Sequence, residues 1–224
     1  MLHSAVALAL CIQAQKAEEV YGRFEKSLVE AKCLRARVRS EWTTTSADGG
    51  IEAVLTLWCA SGDKYKIAIE PKKGRDIAET TIISDGKNCW SRKSRKEEWH
   101  EGKAIPGMST ALLKGLARGS LLHFLYLSHG ERPEVGDHLE VRKFGGVTNG
   151  TLGEREVLEF PFTMAVRQKA GDLEYRSRLW LEPKSLVPAR RVLWHSDERG
   201  SVIMAEMYEA FSTEEIPESE FQKP

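Results

Sequence analysis

The sequence predicts a mainly β protein with some helix: about eleven antiparallel strands, an N-terminal helix and a second, internal helical segment. Three observations carry that expectation. Residues 80–90 read Thr-Thr-Ile-Ile-Ser-Asp-Gly-Lys-Asn-Cys-Trp, with Asp85-Gly86 between two short strand-like runs, a strong local signal for a tight hairpin turn. Upstream, 54–58 and 65–69 are strand-like and flank a turn at Ser61-Gly62-Asp63. Beyond Pro133, residues 139–144, 155–162, 175–181, 189–195 and 201–211 each have the length and polarity of a strand, with turns between them.

Taken in chain order, residues 5–12 are apolar and end near Gln13-Ala14. Such a run is too short to span a bilayer, which takes about 20 apolar residues. It reads as the back half of an export signal without a basic start, so 1–14 is set apart as a truncated signal segment. Leu10 is too large for the position before a lipid-bearing cysteine at Cys11. Ala17, Val20, Tyr21, Phe24, Leu28 and Ala31 recur at helical spacing, which predicts an amphipathic helix over 16–32. Strand character starts at Leu34 and runs to Trp42, and Ser46 to Gly50 form a loop. In 51–59 both faces are semi-apolar, so the sheet must be covered on both sides. Residues 107–127 break the β pattern with an apolar helical segment, softened by Gly115 and Gly119 at about 1 kcal/mol each relative to alanine. A helix of that kind suits a lid or a core element with an irregular join. With no internal repeat and no linker, residues 15–224 are expected to form one domain.

Composition excludes several functions. Lys+Arg and Asp+Glu are equal at 33 each in 224 residues, giving zero formal net charge. A nucleic-acid binder needs a basic surface to neutralise phosphates, so no such partner is expected. The run Arg92 to Lys96 is followed by Glu97-Glu98 and reads as a solvated hairpin tip. The glycine-rich stretch 145–153 lacks the Gly-Lys-Ser/Thr ending of a phosphate loop and reads as a hairpin loop. Cys33, Cys59 and Cys89 have no metal-ligand spacing, and the strands of Cys59 and Cys89 are too far apart for a bridge, so free thiols are expected. His123 and His129 share no carboxylate at ligand spacing, and no Gly-x-Ser-x-Gly elbow occurs. The expectation is a protein that is not an enzyme, without cofactor or metal. Aromatic residues near strand ends, among them Trp58, Tyr65, Trp90, Trp99, Trp180 and Trp194, read either as core packing or as the wall of a ligand cavity.

Leu57-Trp58, the tight turn, Tyr65, and Ile83-Ser-Asp-Gly-Lys-Asn-Cys-Trp90 together resemble the LolA/LolB-type lipoprotein carriers, whose hairpin reads Val-Ser-Asp-Gly-Lys-x-Leu-Trp. The segments 179–183 and 216–221 are similar to those of exported relatives. The resemblance implies an incomplete antiparallel β-barrel around a hydrophobic cavity, with helices as a lid. It implies a monomeric, periplasmic or membrane-associated protein that binds the acyl chains of lipoproteins, or free lipid, for sorting to the outer membrane. An envelope-sensing module of the same fold that binds a membrane protein partner is the alternative. The expected cavity wall is Leu55, Leu57, Tyr65, Ile67, Ile69 and Trp90, with Leu112, Leu116 and Leu122 as the lid. Where these carriers place a lid-holding arginine after the Leu-Trp strand, this chain has Ser61. A hydroxyl cannot supply a forked five-donor clamp, so the lid must be held differently.

Overall fold

Strict alternation of apolar and charged side chains sets the sheet. In β1 (Cys33–Thr44), Leu34, Ala36, Val38 and Ser40 are buried, while Arg37, Arg39 and Glu41 between them are exposed. Neighbouring strands keep the same phase: Ala36 lies opposite Leu57 and Val38 opposite Leu55 of β2 (Ile51–Ala60). One face of the sheet is therefore apolar and the other charged. The computed structural model describes residues 2–44, 50–74, 77–128, 132–168, 171–197 and 200–223, and the side chains from residue 16 onward. The loop expected at 46–50 lies outside the described residues except for Gly50.

Ten further strands follow: β3 (Lys64–Lys73), β4 (Thr80–Asp85), β5 (Asn88–Arg92), β6 (His100–Lys103), β7 (Leu139–Arg142), β8 (Thr148–Leu152), β9 (Arg155–Val166), β10 (Leu173–Leu181), β11 (Pro188–Asp197) and β12 (Gly200–Ser212). All pair antiparallel in one sheet of order β6-β5-β4-β3-β2-β1-β12-β11-β10-β9-β7, with β8 also on β9. Among the described residues no pairing joins β6 to β7 or β8, so the sheet is an open, incomplete barrel. The twelfth strand is β8, inside the glycine-rich stretch expected to be a loop. Its residues 148–151 are exposed, so no apolar alternation announced it.

The apolar face is covered by helices. α1 spans Leu2–Val29, beginning well before the expected position 16, so the run read as a signal segment continues into the amphipathic helix. Its buried stripe is Ala17, Tyr21, Phe24 and Leu28. The expected internal helix is two: α2 (Met108–Arg118) and α3 (Leu121–Ser128), broken at the extended Gly119. A short α4 (Val135–His138) leads into β7.

Gly115 explains why α2 carries a residue that weakens helices. A Cβ built there would lie 2.5 Å from Cγ of Phe124 on α3, and Phe124 is fully buried. Replacing Gly115 by alanine is therefore expected to destabilise the fold by about 1–3 kcal/mol through overpacking, despite a propensity gain of about 1 kcal/mol. Urea denaturation of the variant checks this.

The two hairpin turns seen in the sequence pack together. Gly86, at φ 89°, would place a Cβ 2.1 Å from the Gly62 carbonyl oxygen, so only glycine fits. Asp85 accepts from the backbone N–H of Lys87 (2.7 Å) and Asn88 (2.6 Å), which lowers its pKa. Beyond β12 the chain crosses to the outer face, where a 3-10 turn (Glu218–Phe221) packs on β3 and β4. Glu218 and Glu220 pair there with Lys64 and Lys66.

Candidate functional site

The candidate site is the concave face and the two helices that fill it. Tyr65, Ile67 and Ile69 of β3 lie opposite Cys59, Leu57 and Leu55 of β2, so these five expected wall residues (Leu55, Leu57, Tyr65, Ile67 and Ile69) share the inner face. All are buried except Ile69, which is half-buried. Leu112, Leu116 and Leu122 belong to the same apolar cluster. The structure therefore brings the expected wall and the expected lid together, with the lid's own side chains inside.

Trp90 does not join them. It pairs with Ile83, which pairs with Lys66, and this places Trp90 on the outer face, one residue out of phase with the cavity wall. Cys89 takes the inward position, with its Sγ 3.8 Å from the Tyr65 hydroxyl. Trp90 is buried on the outer side, where the C-terminal Ile216 and Phe221 are buried as well. Cys33, Cys59 and Cys89 are free thiols, and burial pushes the Cys59 thiol up.

Three charged side chains of the sheet hold α2 and α3, each at the helix end that suits its sign. Asp63, in the β2–β3 turn, accepts from the backbone N–H of Gly107 (2.9 Å) and from the Ser109 N–H (3.3 Å) and hydroxyl (3.0 Å) at the start of α2. Arg191 of β11 is fully buried and donates to the carbonyls of Leu116 (2.7 Å) and Ala117 (2.8 Å) in the last turn of α2. The Tyr21 hydroxyl of α1 donates to the same Ala117 carbonyl at 3.1 Å. Glu206 of β12, opposite Arg191 in register, is also fully buried. Its Oε1 accepts from the Leu121 N–H (2.7 Å) and the Ser120 hydroxyl (2.8 Å) at the start of α3, and its Oε2 accepts from Tyr208 (3.0 Å). Burial raises the Tyr208 hydroxyl well above its usual pKa against the pull of Arg191, which keeps it a donor to Glu206.

Asp63, Arg191 and Glu206 were not among the residues expected at the site. A signal for two of them exists: Arg191 follows the inward phase of Ala189 and Leu193, and Glu206 that of Met204 and Tyr208. A charge in the buried phase of a strand must find partners, and the helix ends are those partners. The Ser61 hydroxyl donates to the Lys32 carbonyl at 3.4 Å.

In the first turn of α3, His123 is buried between Trp42 and Tyr175, with the Tyr175 hydroxyl 3.3 Å from its Nε2. Its Nδ1 has no hydrogen-bond partner among the described residues, and burial lowers its pKa to about 4. His129 lies outside the described residues. An open cleft of about 390 Å³ separates α1 from β7, bordered by Tyr21, Phe144, Arg118 and Glu140. Among the described residues no cluster of three or more His, Cys, Asp or Glu is placed to hold a metal, and no helix is long and apolar enough to cross a membrane.

The chain matches no protein-family model and no curated protein sequence. Among solved structures it is similar to a LolA superfamily protein from Nitrosomonas europaea, at 8% identity and a TM-score of 0.48, covering 92% of this chain and 97% of that one. It is similar to LprF from Mycobacterium bovis at 12% identity and a TM-score of 0.45, covering 88% and 95%. A chain of the Pseudomonas aeruginosa MucA/MucB complex is similar at 9% identity and a TM-score of 0.44, covering 93% of this chain but 61% of that one.

Proposed function

We propose that residues 15–224 act as one exported, non-enzymatic domain that takes an acyl chain, free or on a lipoprotein, onto the concave face when α2 and α3 move out. The observation that carries this reading is the way the lid is held. Its apolar side chains fill the concave face, while its polar attachments to the sheet are a few side chains at the helix ends. Such a plug can leave as a unit and be replaced by another apolar body.

Exchange sets the burial of the lid against the burial of the load. Leu112, Leu116 and Leu122 would each give up about 1.5–3 kcal/mol of burial on leaving. An acyl chain regains about 0.8 kcal/mol per methylene, so a dozen methylenes return roughly 10 kcal/mol gross. Met108, Leu113, Leu121 and Phe124 are buried in the same cluster, so the empty protein favours the closed lid, and closure helps to expel the load. Leu55, Leu57, Tyr65, Ile67 and Ile69 form the wall in this reading, and the Tyr21–Phe144 cleft is the entry.

Organic extracts of the natively purified protein should contain lipid by mass spectrometry, and the delipidated protein should bind a fluorescent fatty acid. Absence of both would overturn the reading. Recovery of a transmembrane protein partner from solubilised membranes, with no lipid, would replace it by a sensing role.

A further inference from the structure

The outer face of the sheet bears a lattice of arginine and tryptophan that the lid and the cavity do not use. Cross-strand pairing fixes its rows. One runs Trp180–Arg190–Met207–Arg39 across β10, β11, β12 and β1, and the next-but-one runs Arg176–Trp194–Ile203–Thr43. Between them lie Arg178, Val192, Ala205 and Glu41. Ile203 and Met207 are 48% and 40% exposed, the most exposed large apolar side chains on the sheet among the described residues. Arg190 lies 5.2 Å over the Trp180 ring and Arg178 6.0 Å from it. On β10 to β1 six arginines (Arg35, Arg37, Arg39, Arg176, Arg178 and Arg190) accompany three carboxylates, Glu41, Glu174 and Glu209; Glu209 is held by Arg37 and Arg39, and Glu174 lies 3.6 Å from Arg142. At the β9 margin Glu159 pairs with Arg178. In a chain of zero net charge, this face concentrates cations around an apolar centre.

We propose that this face docks on a lipid surface carrying anionic headgroups. Three features select that occupant over a peptide. All four strands are interior to the sheet, so a peptide finds no free edge to extend. The patch is broad and its apolar side chains stand singly, Ile203 on the sheet and Met207 at a cleft of about 370 Å³ under the β8–β9 turn. That cleft is lined by Arg39 and Arg155 but also by Glu41 and Glu209, and so offers an acidic segment no uniform charge. Tryptophan rings with arginine and isolated aliphatic side chains suit the headgroup layer, where ring and methyl groups enter and guanidinium groups meet phosphate. The docking stands apart from whatever the concave face holds, because the face it uses is the opposite one.

The test is flotation of the full chain with vesicles of equimolar phosphatidylglycerol and phosphatidylcholine, against phosphatidylcholine alone. Binding is expected to the anionic vesicles only, and to weaken with added salt. Replacing Arg176, Arg178 and Arg190 together by glutamine should weaken it by on the order of 100-fold, about fivefold for each arginine. Ile203→Ser with Met207→Ser should weaken it by about tenfold while keeping the salt dependence. Circular dichroism and fluorescent fatty-acid binding report fold and concave face separately, so loss of fatty-acid uptake with retained flotation would count against the carrier reading alone. Equal binding to both vesicle types, unchanged flotation of the arginine variant, or capture of an acidic peptide without vesicle binding would each overturn the proposal.

Discussion

Replacing Arg191 by methionine is expected to cost about 3–5 kcal/mol of stability and to loosen α2 from the sheet. The guanidinium is fully buried, and its two donor groups satisfy the carbonyls of Leu116 and Ala117 in a region that water does not reach. Hydrogen bonds from a charged donor contribute about 1.5–3 kcal/mol each, and a buried acceptor left alone carries the desolvation cost in full. Ala117 would keep the Tyr21 hydroxyl, but Leu116 would have no side-chain donor. Glu206, opposite Arg191 in register, would also lose that guanidinium from the inner face. Lysine is expected to restore less than half of the loss, because a single ammonium cannot reproduce a planar fork aimed at two carbonyls. Urea denaturation gives the stability. Amide exchange over 108–118 tells local release of α2 from global unfolding: local release raises exchange there at denaturant concentrations where the sheet remains protected. If the methionine variant matches the native protein in both measurements, Arg191 is not a catch.

The contrast between Arg191 and the residues read in advance shows which physical signals a sequence carries openly. Turn chemistry at Asp85-Gly86 and Ser61-Gly62-Asp63 is local, so both hairpins stand where they were expected. Alternation over 51–59 and 65–69 is also local, and it brings Leu55, Leu57, Tyr65, Ile67 and Ile69 to one face. Trp90 fails because both sides of β5 are covered. A tryptophan can be buried on either face, and the segment that packs on the outer side of the neighbouring β3 and β4 comes from more than a hundred residues away, at 218–221. The strand β8 was hidden because its exposed residues have no apolar phase to display. The lid catches were hidden for a related reason. Arg191 and Glu206 look like surface charges until the pairing of β11 and β12 shows them in the buried phase, facing helix ends that lie about seventy to ninety positions earlier in the chain.

Acid should weaken the fold through His123 before it acts on the carboxylates. Burial between Trp42 and Tyr175 holds the imidazole neutral and lowers its pKa from 6.5 to about 4. Between those values the unfolded chain binds a proton that the folded chain does not, so stability is complete above about pH 6.5 and falls as the pH drops toward 4. The full loss is on the order of 3 kcal/mol, with a slope approaching 1.4 kcal/mol per pH unit in the middle of the window. Asp137, Glu140 and Glu209 have lowered pKa values from their cationic partners and act in the opposite position on the scale. Their contribution persists above the usual carboxylate range and is lost only as the pH falls through their depressed values, below the His123 window. His123→Phe keeps an aromatic ring against Trp42 and removes the titration. Its stability should vary little between pH 6.5 and 4.5, whereas the native protein loses about 2 kcal/mol over the same interval, both read from urea denaturation at half-unit steps. Parallel curves for the two proteins would show that the imidazole is hydrated in solution. A vertical offset at pH 7 with converging acid limbs would instead measure the packing cost of the larger ring, leaving the titration assigned to His123. Because the histidine sits on α3, the same protonation acts on the lid first: hydrogen exchange over 121–128 should rise with falling pH ahead of exchange in β1, β2 and β12.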